Sequence, residues 1–120
     1  MSKTFLLIGA LAGAVGVALG AFGAHALRNR LSPEMLAVFE TGVRYQMYHV
    51  LVLVAVAAIE LWMDGYLVVT AGWSFTVGIV LFSGSLYVLA LTGATAFGIV
   101  TPFGGLAFLV GWAALAIAAI

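Results

Sequence analysis

Long apolar runs, separated by short polar stretches, dominate the pattern of hydrophobic and polar positions along the chain. A membrane-spanning helix needs about 20 consecutive, mainly apolar residues. The runs that meet this length predict spans at about 4–26, 45–63, 67–91 and 102–120. We therefore expect an all-α polytopic membrane protein of one domain, with four transmembrane helices in an antiparallel bundle.

An amphipathic segment at about residues 33–44 precedes the second span. Ser32 is suited to cap a helix, Pro33 to occupy its first position, and Glu34 to interact with the positive end of its dipole. The segment and the span together are longer than the bilayer is thick. The sequence leaves open whether the helix bends near Gly42 or protrudes from the membrane.

Small residues recur on one face of the first span and of the last. In the first span they are Gly9, Gly13, Gly16, Gly20 and Gly23. At 100° per residue these glycines lie within an arc of about 80°. Gly104 and Gly111 belong to a similar stripe in the last span. Both stripes predict close helix packing, and a glycine-lined conduit is the alternative for the first.

The composition supports a lipid environment and excludes several classes of function. Of the 120 residues, 66% are hydrophobic and 7% are charged, whereas soluble domains carry about 25% charged residues. The net charge of +0 argues against nucleic-acid binding, and the absence of cysteine excludes disulfides and thiolate metal sites. The first apolar run is too long for the core of a signal peptide, so we interpret it as the first span.

Four motifs follow one another along the chain, at residues 20–27 (GAFGAHAL), 41–49 (TGVRYQMYH), 82–87 (FSGSLY) and 101–105 (TPFGG). In this order they resemble the family known as domain of unknown function 423. Its members are small bacterial inner-membrane proteins related to the eukaryotic transmembrane protein 256. The resemblance covers essentially the whole chain and implies four spans, but it supplies no established reaction, substrate or catalytic residue.

If the four spans alternate in direction, the end of the first, the start of the second, the end of the third and the start of the fourth all lie on one side of the membrane. The polar residues of the four spans are concentrated at these ends. The candidate ligand-binding residues there are His25, Arg44, Tyr45, Tyr48, His49, Ser83, Ser85 and Tyr87. Polar groups at membrane depth are costly unless paired or hydrated, so their convergence predicts one pocket in one leaflet. Arg44 would anchor an anionic lipid or a small solute through a phosphate or carboxylate. The structural alternative assigns these side chains to helix ends, interface anchoring and interhelical hydrogen bonds.

Two functions follow from these alternatives. The first is a module that binds or transports a small solute, an ion or a lipid headgroup. The second is a structural or accessory subunit that docks another membrane protein, or a second copy of itself, through its glycine and alanine faces. An enzyme is less favoured because no known catalytic motif is present. We expect no cofactor and no metal, since two histidines without a third donor make a poor metal site.

The basic residues predict the orientation in the inner (plasma) membrane. Arg28, Arg30 and Arg44 belong to the side of the first loop, whereas Lys3 belongs to the side of the N-terminus. Because cytoplasmic loops carry an excess of Lys and Arg, the first loop should be cytoplasmic. Both termini should then lie outside the cytoplasm.

Overall fold

The computed structural model describes residues 1–120 and contains helices and connecting turns only. The α-helices are α1 (Ser2–His25), α2 (Pro33–Ile59), α3 (Tyr66–Gly78), α4 (Gly84–Thr92) and α5 (Thr101–Ala118). The segments long and apolar enough to cross a membrane are Ser2–His25, Pro33–Ile59, Tyr66–Thr92 and Thr95–Ala118. The prediction of an all-α protein with four spans is therefore confirmed.

The amphipathic segment and the second span form a single helix. Ser32 caps α2, since its hydroxyl accepts a hydrogen bond from the backbone N–H of Met35 at 3.2 Å. The helix passes through Gly42 without interruption and contains 27 residues, which gives a length of about 40 Å. The helix is longer than the hydrocarbon core is thick, so α2 must either tilt or extend beyond that core.

The third span contains a π-helical turn, Ile79–Ser83, that joins α3 to α4 without a break. The hydrophobic periodicity did not predict it. A π-turn holds one extra residue per turn and changes the faces that the following side chains occupy. Within this turn, the side chain of Ser83 faces α2, and the backbone of Phe82 faces Gly104 of α5.

α2 lies at the centre of the bundle and packs against α1, α3, the π-turn and α4. α5 packs against α3 and the π-turn on the far side. Aromatic and branched side chains from these helices form the main hydrophobic core. Its fully buried members include Phe5, Leu53, Val56 and Phe75. A smaller cluster of Leu27, Phe39 and Ala90 closes the end near the first loop.

The glycine stripes of α1 and α5 lie against other helices of the same chain. A Cβ added at Gly20 would meet Val43 of α2 at 3.3 Å, and one added at Gly9 would meet Val54 at 3.2 Å. In α5, Gly104 faces the backbone of Phe82. These glycines are therefore used inside the bundle and are not free surfaces for a partner, contrary to the sequence-based expectation of docking through them.

Candidate functional site

The two histidines of the predicted pocket lie at different depths. Because α1 and α2 pack antiparallel, with Gly13 against Val50, His49 is level with the middle of α1. His25 ends α1, 12 residues or about 18 Å from that level. The uninterrupted α2 thus places His49 level with the middle of α1, whereas the predicted pocket requires it to lie at a depth similar to that of His25.

The eight predicted residues do not line one pocket. His25, Arg44, Tyr45 and Tyr48 are exposed on the outside of the bundle, and Tyr48 is 54% exposed. The buried or half-buried members are His49, Ser83, Ser85 and Tyr87. The reason is helical geometry: at 100° per residue, Arg44 and Tyr48 share a face of α2 that points away from the bundle.

A glutamine absent from the candidate set connects three helices in the interior. The side-chain amide of Gln46 donates to the carbonyl oxygen of Ala12 in α1 at 2.7 Å. Its Oε1 accepts a hydrogen bond from the hydroxyl of Tyr87 in α4 at 2.6 Å. The sequence signal was the spacing Gly42, Gln46, His49, because residues three and four apart share one helix face.

His49 is enclosed by aromatic rings and both of its ring nitrogens have partners. Its imidazole stacks on Phe108, with centroids 3.6 Å apart and planes 5° apart. The indole N–H of Trp112 donates to Nε2 at 3.2 Å, so Nδ1 carries the proton and donates to the carbonyl of Tyr45 at 2.7 Å. The ring is therefore held as one neutral tautomer, and acting as a base or a ligand would require breaking one of these bonds.

The two buried serines connect the third span to its neighbours. Ser83 donates to the carbonyl of Gly42 at 2.6 Å. Ser85 bonds the hydroxyl of Thr101 in α5 at 2.6 Å and the carbonyl of Phe82 at 2.9 Å. Both hydroxyls therefore act as contacts between helices.

The structure brings together no set of side chains that could bind a metal ion. No three His, Cys, Asp or Glu side chains come together as a metal site. His49 is separated from His25 by the depth difference given above. The polar interior is therefore a hydrogen-bonding network made of amide, hydroxyl, indole and imidazole groups.

Several concave surfaces open on the outside of the bundle, and three of them bear on function. The groove between α3 and α5 measures about 520 Å³ and has Thr70, Trp73, Ser74 and Ala107 among its lining residues. A groove of about 410 Å³ lies between α1 and the third span, with Gln46 and Tyr87 in its wall. The third, of about 300 Å³, lies where α1 ends and α2 begins. We call these the α3–α5 groove, the α1 groove and the hairpin cavity.

Comparison with known proteins identifies the family. The family described as "Protein of unknown function (DUF423)" matches residues 19–105, which include all four motifs. The chain belongs to the DUF423 family. This DUF423 chain is 45% identical over 119 residues to the UPF0382 membrane protein YwdK of Bacillus subtilis, covering 98% of this chain and 97% of YwdK. The resemblance noted from the motifs is therefore confirmed.

More distant relatives of this DUF423 protein also cover its full length. It is 42% identical over 116 residues to a UPF0382 membrane protein of Haemophilus influenzae, covering 97% of this chain and 93% of that protein. It is 39% identical over 122 residues to the UPF0382 inner membrane protein YgdD of Escherichia coli, covering 99% and 91%. No solved structure matches the chain. The DUF423 protein is thus an integral membrane protein with bacterial relatives that are named for the membrane and not for an activity.

Proposed function

We propose that this DUF423 protein is an accessory subunit, whose α3–α5 groove receives a transmembrane helix of another membrane protein. The observation that carries the proposal concerns the polar interior. Its four buried polar side chains, Gln46, His49, Ser83 and Ser85, each have hydrogen-bond partners within the bundle. Polar contacts of this kind hold transmembrane helices together, so we assign the network to assembly of the bundle.

The transport alternative has less support. A pathway for a polar solute needs side chains with unused hydrogen-bonding capacity at membrane depth. Here the amide of Gln46 is divided between Ala12 and Tyr87, and both nitrogens of His49 are occupied. A solute could use the second amide N–H of Gln46, but any contact with the ring nitrogens of His49 would have to replace an existing bond.

The α3–α5 groove differs from the interior because two of its hydroxyls lack partners. Thr70 is exposed and Ser74 half-buried, one helical turn apart on the same wall, and neither makes a hydrogen bond. Elsewhere in the third span, Thr76 and Thr92 donate to the carbonyl four residues earlier. Hydroxyls facing lipid gain from a partner on a neighbouring helix, and the small Ala107 on the opposite wall leaves room for one.

The shape of the groove favours a different protein over a second copy. In a two-fold dimer whose axis passes through the groove, the groove of one copy would face the groove of the other, and neither would be filled. The α3 wall extends from Val69 to Val77, about 12 Å or two helical turns. A single helix from another chain can fill this length.

Site-specific crosslinking tests the proposal. The chain contains no cysteine, so Leu106→Cys places one thiol in the groove for a photoreactive reagent. Leu109→Cys is the matched control, because Leu109 is also exposed on α5 but does not line the groove. We expect the Leu106 variant to crosslink stoichiometrically to one other membrane protein in native membranes, and Thr70→Leu with Ser74→Leu to abolish that product.

Three outcomes would contradict the proposed function. The first is crosslinking of Leu106→Cys to lipid alone, and the second is crosslinking to another copy of the same chain. The third is an identical crosslinking pattern for Leu106→Cys and Leu109→Cys. Native mass spectrometry of the crosslinked material distinguishes these results by the mass added to the protein.

A further inference from the structure

The hairpin cavity holds two opposite charges that do not pair with each other. Its lining residues are Gly23, Ala24, Arg28, Leu36 and Glu40. Neither Arg28 nor Glu40 forms an ion pair with any group of the protein. A guanidinium and a carboxylate thus share one cavity of about 300 Å³, and each lacks a counter-charge.

The position of the cavity favours a lipid. α1 ends at His25, beside the cavity, so the charges lie at the depth of the lipid headgroups. Toward the membrane centre, the seam between α1 and α2 continues with apolar contacts, where Gly20 faces Val43 and Gly16 faces Met47. A ligand held here by its polar group would have an apolar surface directly below it.

We infer that the hairpin cavity binds the headgroup of a zwitterionic phospholipid with a primary ammonium group, the chemistry of phosphatidylethanolamine. The guanidinium of Arg28 binds the phosphate, since its planar N–H groups match two phosphate oxygens. The carboxylate of Glu40 binds the ammonium, which donates three hydrogen bonds. A quaternary ammonium cannot donate these bonds, and a purely anionic headgroup leaves Glu40 unpaired beside a like charge.

This assignment replaces Arg44 as the anchor expected from the sequence. Arg44 lies one turn beyond Glu40 on the exposed surface of α2 and does not line the cavity. Arg28, which the sequence indicated only as an orientation signal, lines it. The inference is independent of the proposed function, because the hairpin cavity and the α3–α5 groove are made by different helices.

Native mass spectrometry with added lipids tests the inference on the intact protein. The lipids are phosphatidylethanolamine, phosphatidylcholine and phosphatidylglycerol with identical acyl chains. We expect the wild type to prefer the ethanolamine lipid, and Glu40→Gln to lower that preference about two- to five-fold, the range for one partly exposed charge pair. Arg28→Gln should weaken binding of all three lipids, whereas the control Arg30→Gln should not, because Arg30 lies outside the cavity.

Soluble phosphoethanolamine distinguishes the lipid from a free metabolite of the same charge. It should fail to displace the lipid at equal concentration, since it lacks the acyl chains that contact the apolar seam. The inference is overturned if it displaces the lipid, if Glu40→Gln keeps the full ethanolamine preference, or if Arg28→Gln and Arg30→Gln weaken binding equally. Because Arg28, Arg30 and Glu40 are exposed, all variants should keep the wild-type circular dichroism spectrum, which verifies folding.

Discussion

The contact between Gly104 and the π-turn gives a sharp prediction, Gly104→Ala. A Cβ added at Gly104 would overlap the backbone of Phe82 and lie 2.7 Å from its Cα. Ordinary contacts of a Cβ begin at 3.4 Å, so α5 must move by more than about 0.7 Å, because the backbone nitrogen of Phe82 lies closer still. A backbone neighbour cannot turn aside as a side chain can. We therefore expect a loss of about 1–3 kcal/mol in the free energy of unfolding, the usual cost of overpacking.

The neighbouring glycine provides the control. A Cβ added at Gly105 would lie 3.9 Å from the ring of Phe82, an ordinary contact. Gly105→Ala should therefore gain up to about 1 kcal/mol from the better helix propensity of alanine. Unfolding of both variants in mixed detergent micelles, titrated with SDS and followed by circular dichroism, measures the difference. Equal stability of the two variants would refute the close approach of α5 to the π-turn.

Three further predictions concern packing, the polar network and orientation. Gly20→Leu should destabilise the bundle by about 1–3 kcal/mol in the same SDS titration, because even a Cβ there meets Val43 at 3.3 Å. Ala18→Leu, on the exposed face of α1, should change the free energy of unfolding by no more than about 0.5 kcal/mol. Similar losses for the two variants would argue against close packing of α1 on α2 at Gly20. Tyr87→Phe should cost about 0.6 kcal/mol, typical of interhelical hydrogen bonds in membranes, and an unchanged midpoint would mean that its bond to Gln46 contributes nothing. A C-terminal green fluorescent protein should remain dark and a C-terminal alkaline phosphatase active, because the arginine-bearing loop should be cytoplasmic; the reverse pattern would show that the C-terminus is cytoplasmic.

The parts of the fold that were predictable from the sequence depend on local composition. Runs of about 20 apolar residues are required by the thickness of the bilayer, so the spans could be predicted without knowing their neighbours. The cap at Ser32 was likewise predictable, since it involves residues three apart in the chain. The π-turn at Ile79–Ser83 was not, because it belongs to the contact between Phe82 and Gly104, which are distant in sequence.

The predicted pocket is not found in the structure, because the depth of a residue in the membrane and the direction in which its side chain points are separate properties. The order of the spans indicated roughly which residues share a side of the membrane, but not which way each side chain points. The exposed Arg44 lies only two residues from the buried Gln46 and five from the buried His49, although all three are polar. The predicted start of the second span at about residue 45 added a second error, because it put His49 near one end of the span, whereas the contact between Gly13 and Val50 puts it level with the middle of α1.

Buried polar residues in a membrane protein can belong to a site or to the bundle itself, and the partners of each group distinguish the two. The network here is centred on α2: Gln46 connects it to Ala12 of α1 and Tyr87 of α4, and His49 connects it to Trp112 of α5. Apolar packing alone leaves helices free to rotate or slide, because lipid and side chains are similarly apolar. Hydrogen bonds from this central helix to α1, α4 and α5 restrict that freedom. We therefore assign the buried polar residues to fixing the positions of the helices, and place binding at the outer grooves that this arrangement creates.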